Sequence, residues 1–287
     1  MFQSLIIFFN TVFVHPVVNL LALYYYLLSF AKIPGTLGFA IIALTVTIRL
    51  LLHPFFKQQM DSAKKMQDIK PRIDSLSKKY KGDAKKIQEE QMRLYQEAGI
   101  NPASGCVFMI IQLPLTFALY QVLQQFFIAD TAKAIFNSNK MLYFPFLHFK
   151  ALDIWFFGVN LAATPQQMKS IFAYLIPVIT GVFQYFQTMS TTASMTPTPV
   201  EPSSFTVTST KEKDGKKENT SSDDFQKAMN TQMKYIFPFM IGWFALRMPV
   251  GLALYWNIFS IFSIIQYELH KRSTKTSLHQ LNSVKIS

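Results

Sequence analysis

TVTIRLLLHPFF, running from Thr45 to Phe56, closes an apolar stretch that begins near Leu37. Arg49 sits inside it, eight residues before Lys57, the first charge beyond the stretch. In a helix that spacing puts the guanidinium about 12 Å from the end. An arginine near the centre of a bilayer costs about 2.5–3.5 kcal/mol on insertion scales. The segment therefore reads as a membrane helix with a functional or well-compensated cation, and the rest of the chain has to supply the compensation.

The composition agrees with a membrane chain. Half of the 287 residues are hydrophobic, 28 are Phe, and only 15% are charged, against roughly 25% in a soluble domain. Several nearly uncharged windows reach the length of about 20 residues that a spanning helix needs. The single cysteine, Cys106, excludes an intrachain disulfide. The histidines are scattered and no phosphate-cradling loop occurs, so no catalytic residue, metal site or cofactor is expected.

The expected fold class is an all-α membrane protein with five transmembrane helices, a cytoplasmic helical hairpin and an N-terminal interfacial helix. Residues 1–32 are apolar but lack the basic start of a signal peptide and carry Asn10, His15, Pro16 and Asn19. They read as an amphipathic helix at or dipping into the outer interface, with a true span as the alternative. The core covers 33–270, with spans at about 36–56, 106–127, 170–189, 233–246 and 250–267. Between the first two, residues 57–100 hold eleven Lys/Arg and seven Asp/Glu. Ile69, Ile73, Leu76 and Tyr80 recur at helical spacing, as do Ile87, Gln91, Leu94 and Ala98. Lys81-Gly82-Asp83 makes the turn of this hairpin, Asp83 is its expected N-cap, and Pro71 is expected to kink the first arm. Residues 128–168 read as a mixed aromatic loop. Residues 190–226 are rich in Ser, Thr, Pro and Lys and read as a disordered linker; 271–287 form a short basic tail.

Positive charge sets the orientation. The hairpin holds eleven Lys/Arg, the 190–234 segment six and the tail four, against four in 128–169. With five spans the first three share one side, which places the N-terminus outside and the C-terminus in the cytoplasm.

Polar residues recur at intramembrane positions. Thr45, Arg49 and His53 are spaced four apart. So are Gln112, Thr116, Tyr120 and Gln124 on the second span. Thr180, Gln184 and Gln187 share one side of the third, and Tyr255, Trp256, Asn257 and Ser263 lie on the fifth. No Asp or Glu falls within the spans. An arginine without a carboxylate reads as a solvated cation in a water-filled, electropositive cavity that attracts acidic or polar peptide segments. Competing readings remain open at this level. Arg49 can snorkel to the interface, and the Gln and Thr residues can serve as interhelical glue. His53 reads as interfacial, Cys106 as a packing residue, and the hairpin either as a solvated charged face or as a partner surface. A small-anion transporter built on Arg49 is the alternative function, and a membrane enzyme using His53 or Cys106 is a second rival.

Five stretches, GFAIIALTVTIRLLLHPF, YQEAGINPASGC, MIIQLPLTFALYQVL, VFQYFQTMS and FPFMIGWFALRMPVGLALYWNIFSIFSIIQ, together resemble the YidC/Oxa/Alb family of membrane protein insertases across about 33–127 and 170–270. The resemblance implies a five-helix core around a hydrophilic groove, insertion of single- and double-spanning proteins without ATP, and a multi-pass location in the bacterial plasma membrane. It implies nascent membrane proteins and the lipid bilayer as partners, with ribosome and Sec translocon as further ones, and no nucleic-acid substrate. Arg49 matches the family's groove arginine and Thr45 a groove threonine; Gln187 and Tyr255 match polar or aromatic groove positions. With the spacing argument, the expected substrate groove is Arg49, Thr45, Gln112, Thr116, Gln184, Gln187, Tyr255 and Trp256. The chain departs from the family pattern in its long 190–226 linker and in lacking a large extracytoplasmic domain, a lipoprotein signal and a long basic tail.

Overall fold

The computed structural model describes residues 2–80, 83–100, 104–127, 131–192 and 232–284. The side chains of 2, 63, 84, 104–112, 131, 191–192, 233 and 274–284 fall outside that description. Residues 193–226 of the expected linker, and Lys81-Gly82 of the hairpin turn, lie outside the described residues.

The chain begins with α1 (Phe2–Phe9), a π-helical turn at Asn10–Val14 and α2 (His15–Phe30). Lys32 and Gly35 both adopt positive φ (54° and 73°) and reverse the chain. The next helix, α3 (Thr36–Leu51), opens on Gly35, whose N–H donates to Asp153 Oδ2 at 3.2 Å. Its buried face carries Leu37, Ala40, Ile41 and Leu44, the i, i+3, i+4, i+7 stripe of a packed helix.

α3 ends earlier than the sequence suggests. The first span was expected to reach Phe56, but the helix breaks at Leu52 and α4 (His53–Lys79) leaves at 56°. Pro54 is the reason: it lacks an N–H for the helical ladder and disfavours helical geometry in the residue before it. The first hairpin arm is thus one 27-residue helix that starts at the end of the membrane segment. Pro71 lies within it, and the helix remains a single element across that position. The second arm, α5 (Ala84–Glu97), is capped as expected, Lys86 N–H donating to Asp83 Oδ1 at 3.1 Å. Ile69, Tyr95 and Ile100 form a small core of their own with Met66, Ile73 and Ala98, and burial there raises the Tyr95 phenol above its ordinary pKa.

α6 (Ser104–Phe126) returns through the bundle. The region expected to be loop is structured: α7 (Thr131–Asn139), a 3-10 turn at Pro145–Leu147, the hairpin β1 (Trp155–Phe156) and β2 (Val159–Asn160), and α8 (Pro165–Met168). The strands pair antiparallel, Trp155 opposite Asn160 and Phe156 opposite Val159. Short-range side-chain to backbone bonds hold this region. Asn139 exchanges two with Phe149, at 2.8 and 3.1 Å, and Thr164 with Gln167 makes a capping box over α8. Asn19 of α2 ties the N-terminal helix to it, accepting from Tyr143 N–H at 2.7 Å and donating to Met141 O at 2.9 Å. Tyr25 adds bonds to Ala151 O and Asp153 N–H. Tyr24 hydrogen bonds Thr47 in the second half of α3.

A 3-10 turn at Ile171–Tyr174 leads into α9 (Leu175–Thr192). After a π-helical turn at Gln232–Ile236, α10 (Phe237–Ala245) packs on α9, and α11 (Val250–Val284) completes the chain. The helix continues past the expected span end at Tyr267, as far as Val284. The α9–α10 contact is backbone to backbone: a Cβ added to Gly242 would stand 3.2 Å from Pro177 O and 3.4 Å from Gly181 Cα. Gly242→Leu is therefore expected to lower stability by about 1–3 kcal/mol through overpacking, read as a lower thermal midpoint of the full chain in lipid nanodiscs.

α11 is the axis of the bundle. It packs on α9, α3 and α6, and the hydrophobic core gathers α2, α3, α6 and the start of α11. Its first residues donate to Leu161 O and Ala163 O, at 2.9 Å each, while its later turns reach His53 and Asp61. The bundle therefore has a loop end, formed by 131–168, and a hairpin end, formed by α4 and α5. Among the described residues, Gln3–Phe30, Ile171–Ser190 and Val250–Ser273 are each long and apolar enough to cross a membrane, and the bent α3–α4 pair makes a fourth.

Candidate functional site

Arg49 lies on the last turn of α3, at the hairpin end, and is only 3% exposed. Its guanidinium carbon stands 3.7 Å from the centroid of the Phe259 ring on α11 and 5.4 Å from that of Phe56 on α4. Nη2 donates to the Phe259 carbonyl at 3.1 Å, and Nε is buried without a partner. Phe259 O also accepts from Ser263 Oγ at 2.8 Å. Tyr255, one turn before Phe259, is buried and takes Thr116 of α6 as its side-chain partner. Thr45 is buried one turn before Arg49, its hydroxyl donating to Ile41 O at 2.7 Å. Among the described residues no carboxylate pairs with Arg49.

The expectation of a solvated cation is corrected here. The helix break at Leu52 swings the start of α4 across the end of α3, and Phe56 closes over the guanidinium. Among the described residues, two phenyl rings and one carbonyl face Arg49, with the Tyr255 side chain nearby. A desolvated cation–π contact is worth about 2 kcal/mol. That does not satisfy a side chain with five N–H donors.

Gln184, Gln187 and Trp256 do not join this cluster. Trp256 Nε1 donates to Gln184 Oε1 at 2.7 Å, Gln184 Nε2 donates to Thr188 Oγ1 at 3.2 Å, and Ser260 Oγ donates to Gln187 Oε1 at 2.6 Å. Gln184, Gln187 and Trp256 thus bind α9 to α11, as interhelical glue would. Adjacent helical residues diverge by about 100°, so Tyr255 faces α3 and α6 while Trp256 faces α9. α11 divides seven of the eight expected residues into two polar clusters. Gln112 belongs to α6, but its side chain lies outside the described residues. Farther along the α6 stripe, Tyr120 and Gln124 line an open hollow of about 670 Å³ with Phe9, Phe117, Gln121 and Gln125. None of these residues touches Arg49.

His53 does not continue the Thr45–Arg49 face. It opens α4 and accepts from Gln266 Nε2 of α11 at 3.1 Å when its proton is on Nε2. Sequence reasoning missed Phe56 and Phe259, because a phenylalanine in an apolar run looks like any lipid-facing or core residue. Their spacing was the available signal: Phe56 is seven residues from Arg49, and Phe259 is four from Tyr255.

A family model described as 60Kd inner membrane protein matches residues 29–277, most of the chain. The chain belongs to the YidC/Oxa/Alb family. Among similar proteins in this family, the membrane protein insertase YidC of Oceanobacillus iheyensis is 30% identical over 269 residues, covering 90% of this chain and 81% of that protein. YidC of Caldanaerobacter subterraneus is 29% identical over 242 residues, covering 84% and 88%. The inner membrane ALBINO3-like protein 2 of the chloroplast of Chlamydomonas reinhardtii is 30% identical over 257 residues; there the match spans 88% of this chain and about half, 53%, of the relative. Family membership and the apolar helices together make this a multi-pass membrane protein with an all-α fold, similar to proteins named as insertases.

Proposed function

We propose that the chain is a membrane protein insertase of the bacterial plasma membrane and that Arg49 is where it holds the polar segment of a client. The observation that carries this is the buried guanidinium at the hairpin end, with one carbonyl acceptor and no carboxylate among the described residues. Such a cation favours any acidic or amide-rich peptide that reaches it. The basic hairpin faces the cytoplasm, the C-terminus lies on the same side, and the N-terminus lies outside. Residues 1–32 lie at or dip in from the outer interface; support for this comes from Asn19 and Tyr25, which bond to the 131–168 region at the loop end.

In this mechanism a client emerging from a ribosome, alone or beside a Sec translocon, meets the hairpin. Its polar segment displaces Phe56 and takes hydrogen bonds from Arg49. Its apolar segment lies against the lipid-facing side of α9, where Val178, Val182 and Phe186 are exposed. Burial of apolar surface in lipid, about 25 cal/mol per Å², then drives release. No covalent bond changes.

Photocrosslinking tests the reading. Probes at Thr45 and Tyr255 are expected to capture a stalled nascent membrane protein, whereas probes at the lipid-facing Phe239 of α10 are not. Absence of adducts from both inner positions would remove Arg49 as the client site. A small-anion transporter would give saturable anion uptake in liposomes with no such adducts.

A further inference from the structure

The same side of α11 that meets Arg49 continues toward the hairpin end as Tyr255, Phe259, Ser263, Gln266 and His270, spaced four, four, three and four. That is one helical stripe. Its upper part meets α3 and its lower part meets α4. Gln266, 5% exposed, bonds to His53 at 3.1 Å, and His270 Nε2 lies 3.2 Å from Asp61 Oδ1. Between these two contacts in the α4 sequence are Phe56, 4% exposed and over the guanidinium, and Met60, also buried.

We propose that the first two turns of α4 form a gate over Arg49, and that His53, Asp61, Gln266 and His270 are the positioning residues that hold it shut. The inference rests on the reading of Arg49 as the client site and adds its control. The gate has a hinge in the break at Leu52, where α3 and α4 already meet at 56°. Its bolt is Phe56, and its fastening lies at the hairpin end. The fastening is suited to release. The Asp61 carboxylate is half exposed, and a pair so open to water is held weakly. On its own helix His270 is flanked by Glu268, Lys271 and Arg272, with Lys271 Nζ 3.9 Å from Glu268 Oε1, and Asp61 faces it across the gap. A polar client segment arriving along the hairpin meets these groups before it meets Arg49. Competition for them swings α4 away and uncovers the guanidinium.

The test reads access directly, without insertion. Ser263 is 1% exposed and lies on the stripe between Phe259 and Gln266. In a Cys106→Ser background of the full chain in lipid nanodiscs, Ser263→Cys is labelled with a charged, membrane-impermeant maleimide. Labelling is expected to be slow, and at least tenfold faster when Asp61→Lys is added. His270→Glu, which sets two carboxylates against each other, is expected to speed it similarly. The combined Asp61→Lys/His270→Glu chain sets opposite charges at the two positions and is expected to return labelling to within about twofold of the starting rate. Equal rates in all four chains overturn the gate. A rise in both single variants with no recovery in the pair overturns the fastening, because general loosening of the fold gives that pattern. Because labelling is read without a client, loss of the crosslinks from Thr45 and Tyr255 would fail the client reading while leaving the gate standing.

Discussion

Arg49→Glu is expected to reduce insertion of dependent single-span clients at least tenfold, measured by protease protection after translation into liposomes that contain the purified chain. The substitution places a carboxylate between two phenyl faces and beside the Phe259 carbonyl, all of which present negative potential. It repels the acidic segment that the arginine attracts. Arg49→Ala removes the attraction without adding repulsion, so its loss is expected to be smaller than that of the acid. Arg49→Lys separates charge from shape. It keeps the cation but cannot lay a flat guanidinium on Phe259 at 3.7 Å. Retention of most activity by the lysine variant assigns the role to charge; a loss equal to that of alanine assigns it to planar, multi-donor binding. Ser260→Ala provides the contrast, because it removes only a bond to Gln187 in the α9–α11 cluster. Interhelical bonds of this kind average about 0.6 kcal/mol, so its effect on insertion is expected to fall within about threefold. Full activity of Arg49→Glu on every dependent client would end the proposal that this cation handles clients.

The largest effect on stability is expected at Asn19. Its amide donates to His15 O at 2.8 Å and Met141 O at 2.9 Å and accepts from Tyr143 N–H at 2.7 Å. Leucine has nearly the same shape and can make none of these bonds. Asn19→Leu leaves a carbonyl and an N–H of residues 141 and 143 without their partner, at about 1–3 kcal/mol each. The expected total is about 3 kcal/mol, or a fall of roughly 6–12 °C in thermal midpoint by the scaling for a chain of this size, followed by tryptophan fluorescence. Asn10 is the control. Its Oδ1 is buried without a partner, so Asn10→Leu is expected to leave the midpoint within a degree or two. If the two substitutions behaved alike, the bridge between the N-terminal helix and residues 141–143 would carry no stability.

What the sequence made legible follows from which forces act locally. The α3 segment and its arginine were readable because hydropathy and charge are properties of single residues in a row. The hairpin was readable because Ile69 and Ile73 repeat at helical spacing, and Asp83 caps α5 through its own side chain. Three features were not readable. The break at Leu52 depends on Pro54 prevailing over a strongly apolar run, and an apolar run alone predicts a continuous helix. The order within 131–168 rests on single amide contacts such as Asn139 with Phe149, which have no periodicity. The burial of Arg49 depends on Phe56 and Phe259, which approach from two other helices and are more than 200 residues apart in sequence. The eight expected site residues follow from the family resemblance for Arg49, Thr45, Gln187 and Tyr255, and for the set as a whole from the rule that polar groups in a membrane helix face protein. That rule found them but could not say which neighbour each one faces.

Tyr255 and Trp256 stand side by side on α11 yet serve different neighbours, the first the arginine cluster and the second the α9 seam. One rigid rod thus carries two sets of teeth. Any twist that relaxes the hold of Trp256 on Gln184 turns Tyr255 by the same angle, so substitutions on opposite sides of this rod will fail to add independently, and the lipid-facing wall and the inner cation will shift in step.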